Sequence, residues 1–121
     1  MDVALAAEGR GRIWDQFASL MDDHDLLVSP TLAMGAYPVE QFCPSALAGE
    51  PLARRLLGPL LTYPANLLGT PAISVPAGFG STGMPVGLQI AGGLHADAGV
   101  IRAAAAFERA RPWAQHRPPL D

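Results

Sequence analysis

The chain has 121 residues, half of them apolar and only 16% charged, with a formal net charge of −3. One small domain fits this length, and a charged share well below the roughly 25% usual for soluble domains suits a body whose faces lie against further protein. The acidic balance, with eight arginines spread from Arg10 to Arg117 in no continuous patch, excludes a basic footprint for nucleic acid or for an anionic membrane. Residues 3–22 open the chain as a predicted amphipathic helix. Ile13, Trp14, Phe17, Leu20 and Met21 recur there at three- and four-residue spacing, which builds one apolar stripe. Asp22, Asp23, His24 and Asp25 end it. A short strand follows over 26–29, stopped by Pro30, whose ring removes a ladder donor.

From Ala33 to Pro51 the density of Gly, Pro and Ser indicates an irregular loop. It carries the single cysteine, Cys43, which has no partner for an internal disulfide. With no apolar run near the ~20 residues of a membrane span and no basic-then-apolar leader pattern, the cytoplasm is the expected compartment. Residues 52–57 read as a short helix broken at Gly58, and 59–68 as a second one, with Pro59 at its first position and Gly69 just past its end. Those are the positions where a missing N–H costs nothing and where a left-handed residue is tolerated. A hairpin over 72–91 follows, with Pro76 bounding its first strand and Gly80-Ser81-Thr82-Gly83 as the turn. Asp97 is expected to cap a last helix over 97–110, buried through Val100, Ala104 and Phe107. This order predicts an α/β architecture, and apolar rather than alternating strands predict a sheet covered on both faces.

Several residue groupings imitate functional motifs. Gly78-Phe79-Gly80-Ser81-Thr82-Gly83 is a literal G-x-G-x-x-G, but a dinucleotide loop must open into a helix that receives the pyrophosphate. Here Met84-Pro85-Val86-Gly87-Leu88 follows, so a hairpin turn is the better reading. The run Asp22–Asp25 contains metal-ligand types, yet consecutive residues on a turn diverge instead of converging on an ion. Ser74, His95 and Asp97 name the parts of a triad, but Ser74 lies inside a strand and no nucleophile-elbow pattern surrounds it. Cys43 has no cation or helix N-terminus near it in sequence to activate it, and reads as an inert thiol. Pro59, Tyr63 and Asn66 would share one helical stripe at i, i+4 and i+7. An aromatic beside an amide suits the wall of a carboxamide pocket; the competing reading has Tyr63 packing and Asn66 satisfying backbone groups.

Four stretches, in order, resemble the amidase signature family, enzymes that cleave carboxamides. Asp25-Leu26-Leu27-Val28-Ser29-Pro30-Thr31 is similar to its D-x-L-L-x-P-T segment. Thr62-x-x-x-Asn66-x-x-Gly69-x-Pro71-Ala72-Ile73-Ser74-Val75-Pro76 follows its most recognisable C-terminal pattern. Gly83 to Ile90 resembles its G-L-P-V-G-L-Q strand, and Ala103 to Trp113 its last helix. The resemblance covers nearly the whole chain and extends to the A subunit of glutamyl-tRNA amidotransferase. It implies the C-terminal part of the amidase signature fold, seen as a partial mixed sheet with flanking helices. It also implies acyl transfer by a nucleophilic serine, a relaying serine and a lysine base, with oxyanion donors on a Gly/Ser-rich loop.

Every basic residue in this chain is arginine, which stays protonated and cannot act as that base. The family's reactive groups would lie upstream, so this chain is expected to be inactive alone. The resemblance places Leu56, Pro59, Tyr63 and Asn66 toward substrate. The amidotransferase A subunits usually carry an Asp where Pro59 stands, which points here to an apolar or aromatic amide instead of glutamine. No cofactor or metal is expected. The expected partners are a small amide substrate and a complementary chain bearing the catalytic part, this chain being a truncated product or one part of a split enzyme. A non-catalytic module that binds a partner through an open sheet edge, or a degenerate fragment, is the alternative.

Overall fold

A computed structural model describes residues 2–57 and 60–117. Helix α1 spans Val3–Asp22, strand β1 Leu26–Pro30, helix α2 Leu52–Leu57, helix α3 Tyr63–Leu68, strand β2 Ala72–Phe79, strand β3 Pro85–Gly92 and helix α4 Asp97–Ala110. A single 3-10 turn, Ser45–Leu47, interrupts the long loop. The three strands form one sheet in the order β1-β3-β2, and both pairings are antiparallel.

Proline placement follows from that order. β1 and β2 are edge strands, each with one side free of ladder bonds, so a residue without an N–H is tolerated in either. β1 therefore runs through Pro30 instead of stopping before it. β2 likewise continues past Pro76 to Phe79, absorbing the proline in a register shift between Pro76 and Gly78. The hairpin turn is closed by Gly80 N–H to the Met84 carbonyl at 2.8 Å and by Gly83 N–H to the Gly80 carbonyl at 3.0 Å. Gly83 has φ of 77°, a left-handed conformation that glycine alone adopts freely.

One face of the sheet is apolar. Val75, Ile90 and Ala104 form its buried centre, flanked by Leu26, Ile73, Leu88, Ala103 and Phe107, so α4 packs directly on β2 and β3. Asp97 is not the cap of α4: Ala96 holds that position without a side-chain bond, and Asp97 is the first helical residue. Its carboxylate there favours the positive end of the helix dipole. α1 is capped by Asp2, whose Oδ1 accepts from Ala4 N–H at 3.0 Å, and only Phe17 of its stripe is buried. It packs against α3. Beyond its end, His24 Nδ1 donates to the Leu20 carbonyl at 3.0 Å.

The opposite face is not the second apolar layer expected from the strand sequences. Residues paired across strands share a face, and here Ser29, Ser74 and Gln89 lie in one row across all three strands. α3 begins at Tyr63, four residues later than the sequence suggests. Leu60 pairs with Leu32 in an isolated antiparallel bridge, and the Leu61 carbonyl accepts from Gln89 Nε2 at 3.2 Å. Those contacts tie residues 60–61 to Leu32 and Gln89 instead of a helical turn, and Pro64 lies in the opening turn of the helix. Pro59 lies outside the described residues. Among the described residues, none of the large side chains is fully enclosed, whereas Val3, Leu5, Val39 and Ile101 are largely exposed. No described helix is long and apolar enough to cross a membrane.

Candidate functional site

The polar face of the sheet is where chemistry-bearing side chains converge. Past Pro30 the chain stays against β3, because Thr31 N–H donates to the Gly87 carbonyl at 2.9 Å. Thr31 Oγ1 and Ser74 Oγ then hydrogen-bond to one another at 2.6 Å, linking the segments on either side of β3. This bridge passes over Gly87, and only glycine permits it. A Cβ there would lie 2.6 Å from Thr31 Oγ1 and 2.8 Å from Ser74 Oγ. Two residues along, buried Gln89 spends its amide group on Ser29 Oγ at 3.3 Å and on the Leu61 carbonyl at 3.2 Å.

Between this floor and α3 is an open cleft of about 310 Å³, lined by residues that include Asn66, Thr70, Ser74 and Gln89. Thr70 Oγ1 is buried beside it with no hydrogen-bond partner among the described residues. Among the described residues, its walls hold hydroxyls and amides and no ionisable side chain. Such a surface suits a neutral hydrogen-bonding group better than an ion, because a bound charge would lose hydration without gaining a countercharge. The two hydroxyls face one another with no imidazole or amine bonded to either among the described residues. This arrangement can bind and orient a carboxamide, but it supplies no activated nucleophile.

Of the four residues singled out from the sequence, the structure places only Asn66 in this cleft. Tyr63 opens α3 and is half-exposed, and Leu56 is half-exposed on α2. Pro59 lies outside the described residues, and α3 does not extend back to it. The stripe expected of Pro59, Tyr63 and Asn66 on one helix is therefore reduced to the Tyr63–Asn66 turn. Sequence reasoning misses Thr31, Ser74 and Gln89 as a group. Their signal is a Ser and a Gln inserted into otherwise apolar strands, a pattern that marks a polar sheet face once the register is known.

The motif imitations also resolve. Ser74 bonds to Thr31 instead of a histidine, while His95 sits in the loop before α4 with φ of 63°. The G-x-G-x-x-G stretch is the β2–β3 hairpin. Cys43 does have a cation beside it, contrary to the reading from sequence. Arg55 Nε donates to its buried Sγ at 3.5 Å while the guanidinium lies 5.0 Å from the centre of the Phe42 ring. The loop folds back on α2, a contact twelve residues apart that local sequence does not show.

Comparison with known proteins identifies relatives of this chain. The family model described as Amidase matches residues 3–101. An acylamidase of Rhodococcus erythropolis is 52% identical over 118 residues, covering 98% of this chain and 25% of that protein. The A subunit of the glutamyl-tRNA(Gln) amidotransferase of Thermosynechococcus vestitus is 36% identical, covering 95% of this chain and 23% of its own length. Among solved structures, a bacterial aryl acylamidase of the amidase signature enzymes superposes with a TM-score of 0.74 at 40% identity, covering 90% of this chain and 24% of that one. The chain thus spans about a quarter of the length of the relatives it matches.

Proposed function

Because this chain belongs to the amidase signature family, we propose that it forms the substrate-side portion of a hydrolase acting on carboxamide C–N bonds. The observation that carries this reading is the uncharged polar cleft between α3 and the sheet, in a segment matching a quarter of an acylamidase. In this reading the cleft holds the amide group by hydrogen bonds, while Leu56, Pro59, Tyr63 and Asn66 face the remainder of the substrate. Tyr63 and Leu56 offer exposed apolar surface, which suits an aryl or alkyl amide. The names of the similar acylamidase and aryl acylamidase support the same class.

The nucleophilic serine, the relaying serine and the lysine base belong to complementary polypeptide. The absence of any lysine here means that these 121 residues supply no amine base. Large side chains left exposed, such as Val3, Leu5, Val39 and Ile101, give that polypeptide apolar surface to cover. A lone thiol buried beside Arg55 suits a reducing compartment such as the cytoplasm.

Reconstitution tests the reading. The chain alone should leave 4-nitroacetanilide intact. Mixed or co-expressed with the upstream three-quarters of the Rhodococcus acylamidase, it should restore 4-nitroaniline release. Failure of a stably associated pair to turn over any simple aryl or alkyl amide would overturn it.

A further inference from the structure

A second, larger cleft lies between the β2–β3 hairpin and the segment after α4, sharing no lining residue with the polar cleft. Its volume is about 620 Å³, within the range of small-molecule sites. One wall is the hairpin, including Phe79 and Met84; the other runs from Arg111 to Arg117 and includes Trp113 and His116. The wall after α4 is ordered by local bonds. Arg111 N–H donates to the Phe107 carbonyl at 2.8 Å and His116 N–H to the Trp113 carbonyl at 2.9 Å. Phe79 and His116 meet edge to face, with ring centroids 5.3 Å apart, and so join the walls.

The composition of the lining is selective. Phe79, Met84 and Trp113 leave substantial apolar area open, and two guanidinium groups, Arg111 and Arg117, border it. Among the described residues, no acidic side chain lines the cleft and neither arginine has a carboxylate partner. An apolar slot edged by two arginines that have no carboxylate partner among the described residues complements a flat apolar body bearing one anionic group. The planar fork of arginine matches a carboxylate with two parallel hydrogen bonds. The literal G-x-G-x-x-G lies in this hairpin, but it forms a turn instead of a helix start, so the side chains and not backbone amides would hold the anion.

We propose that this cleft is a binding site for a small aromatic carboxylate, with Arg111 and Arg117 holding the carboxylate and Phe79 and Trp113 flanking the ring. The inference stands independently of the amidase reading, since it uses neither the polar cleft nor catalysis. It is tested by titrating the full chain with 1-naphthoate, followed by isothermal calorimetry, beside its neutral counterpart 1-naphthamide. Naphthoate should bind, and naphthamide should bind at least about tenfold more weakly, the difference expected of a charge-assisted pair. R111Q and R117Q should each weaken naphthoate by about the same factor, leaving naphthamide unchanged. R12Q, on α1, should leave both ligands unchanged. Circular dichroism matching the parent chain confirms that the variants remain folded; the arginines are exposed. Equal binding of the two compounds, no binding of naphthoate, or an equal loss in R12Q would overturn the proposal.

Discussion

The two faces of the β1-β3-β2 sheet are built from the same strands yet serve different ends. On one, Val75 and Ile90 meet Ala104 of α4 in a packed apolar layer. On the other, Ser29, Thr31, Ser74 and Gln89 form a hydrogen-bonded floor that α3 covers only in part. β3 carries both, with Leu88 and Ile90 alternating with Gly87 and Gln89. The lesson is a division of labour: one period-2 set supplies stability and, under the proposed function, the other supplies recognition, so substitutions one residue apart should fail in different ways.

The sharpest break between the faces is expected at Ile90, which is 3% exposed in the α4 layer. I90A should cost about 2–5 kcal/mol, combining lost transfer energy with a cavity that the small α4 side chains cannot refill. Urea denaturation followed by tryptophan fluorescence would measure it. A cost below about 0.5 kcal/mol, the range of ordinary surface substitutions, would show that α4 is not the stabilising layer.

The same division explains what is legible in the sequence. α1 and α4 carry their period-3.6 stripes in contiguous residues, and the hairpin announces itself through apolar runs around Gly80 and Gly83. The polar floor depends on register and on contacts 28 to 60 residues apart, such as Gln89 to Leu61 and to Ser29. No local period encodes those. The start of α3 is hidden for the same reason: Pro59 offers an acceptable first helical position, but Leu60 pairs with Leu32, 28 residues away, in an isolated bridge. Prolines 30 and 76 look like strand stops because their edge positions emerge only from the strand order. Asn66 can be placed because its helix ends at Gly69, whose φ of 71° fixes the C-terminus.

Gly87 is the intermediate case, since it lies in the sheet and beneath the hydroxyl pair of the proposed recognition surface. In G87A the new methyl group would fall 2.6 Å from Thr31 Oγ1 and 2.8 Å from Ser74 Oγ, separations that must open. Overpacking of this kind costs typically 1–3 kcal/mol, and should reach about the lower end here because one neighbour is a hydroxyl at the cleft. The Thr31–Ser74 bond should lengthen, so G87A should lose more amide binding in the reconstituted enzyme than its stability loss accounts for. Denaturation and KM measured on the same variant separate the two. An unchanged KM would remove the hydroxyl pair from the recognition surface.

The smallest stability effect and the cleanest functional one should fall at Asn66. Its side chain lines the polar cleft, is exposed, and makes no hydrogen bond among the described residues. Removing it leaves no buried group unsatisfied, and alanine is a better helix former than asparagine. N66A should therefore shift stability by no more than about 0.5 kcal/mol. If Asn66 is a substrate contact, the reconstituted amidase should lose about 0.5–1.5 kcal/mol of amide binding, seen as a KM several-fold to about tenfold higher. An Asn66 that merely supported the helix would reverse this order, leaving KM fixed while the denaturation midpoint fell. N66D sharpens the distinction, because a carboxylate in this uncharged cleft should raise KM for a neutral amide while leaving the fold intact.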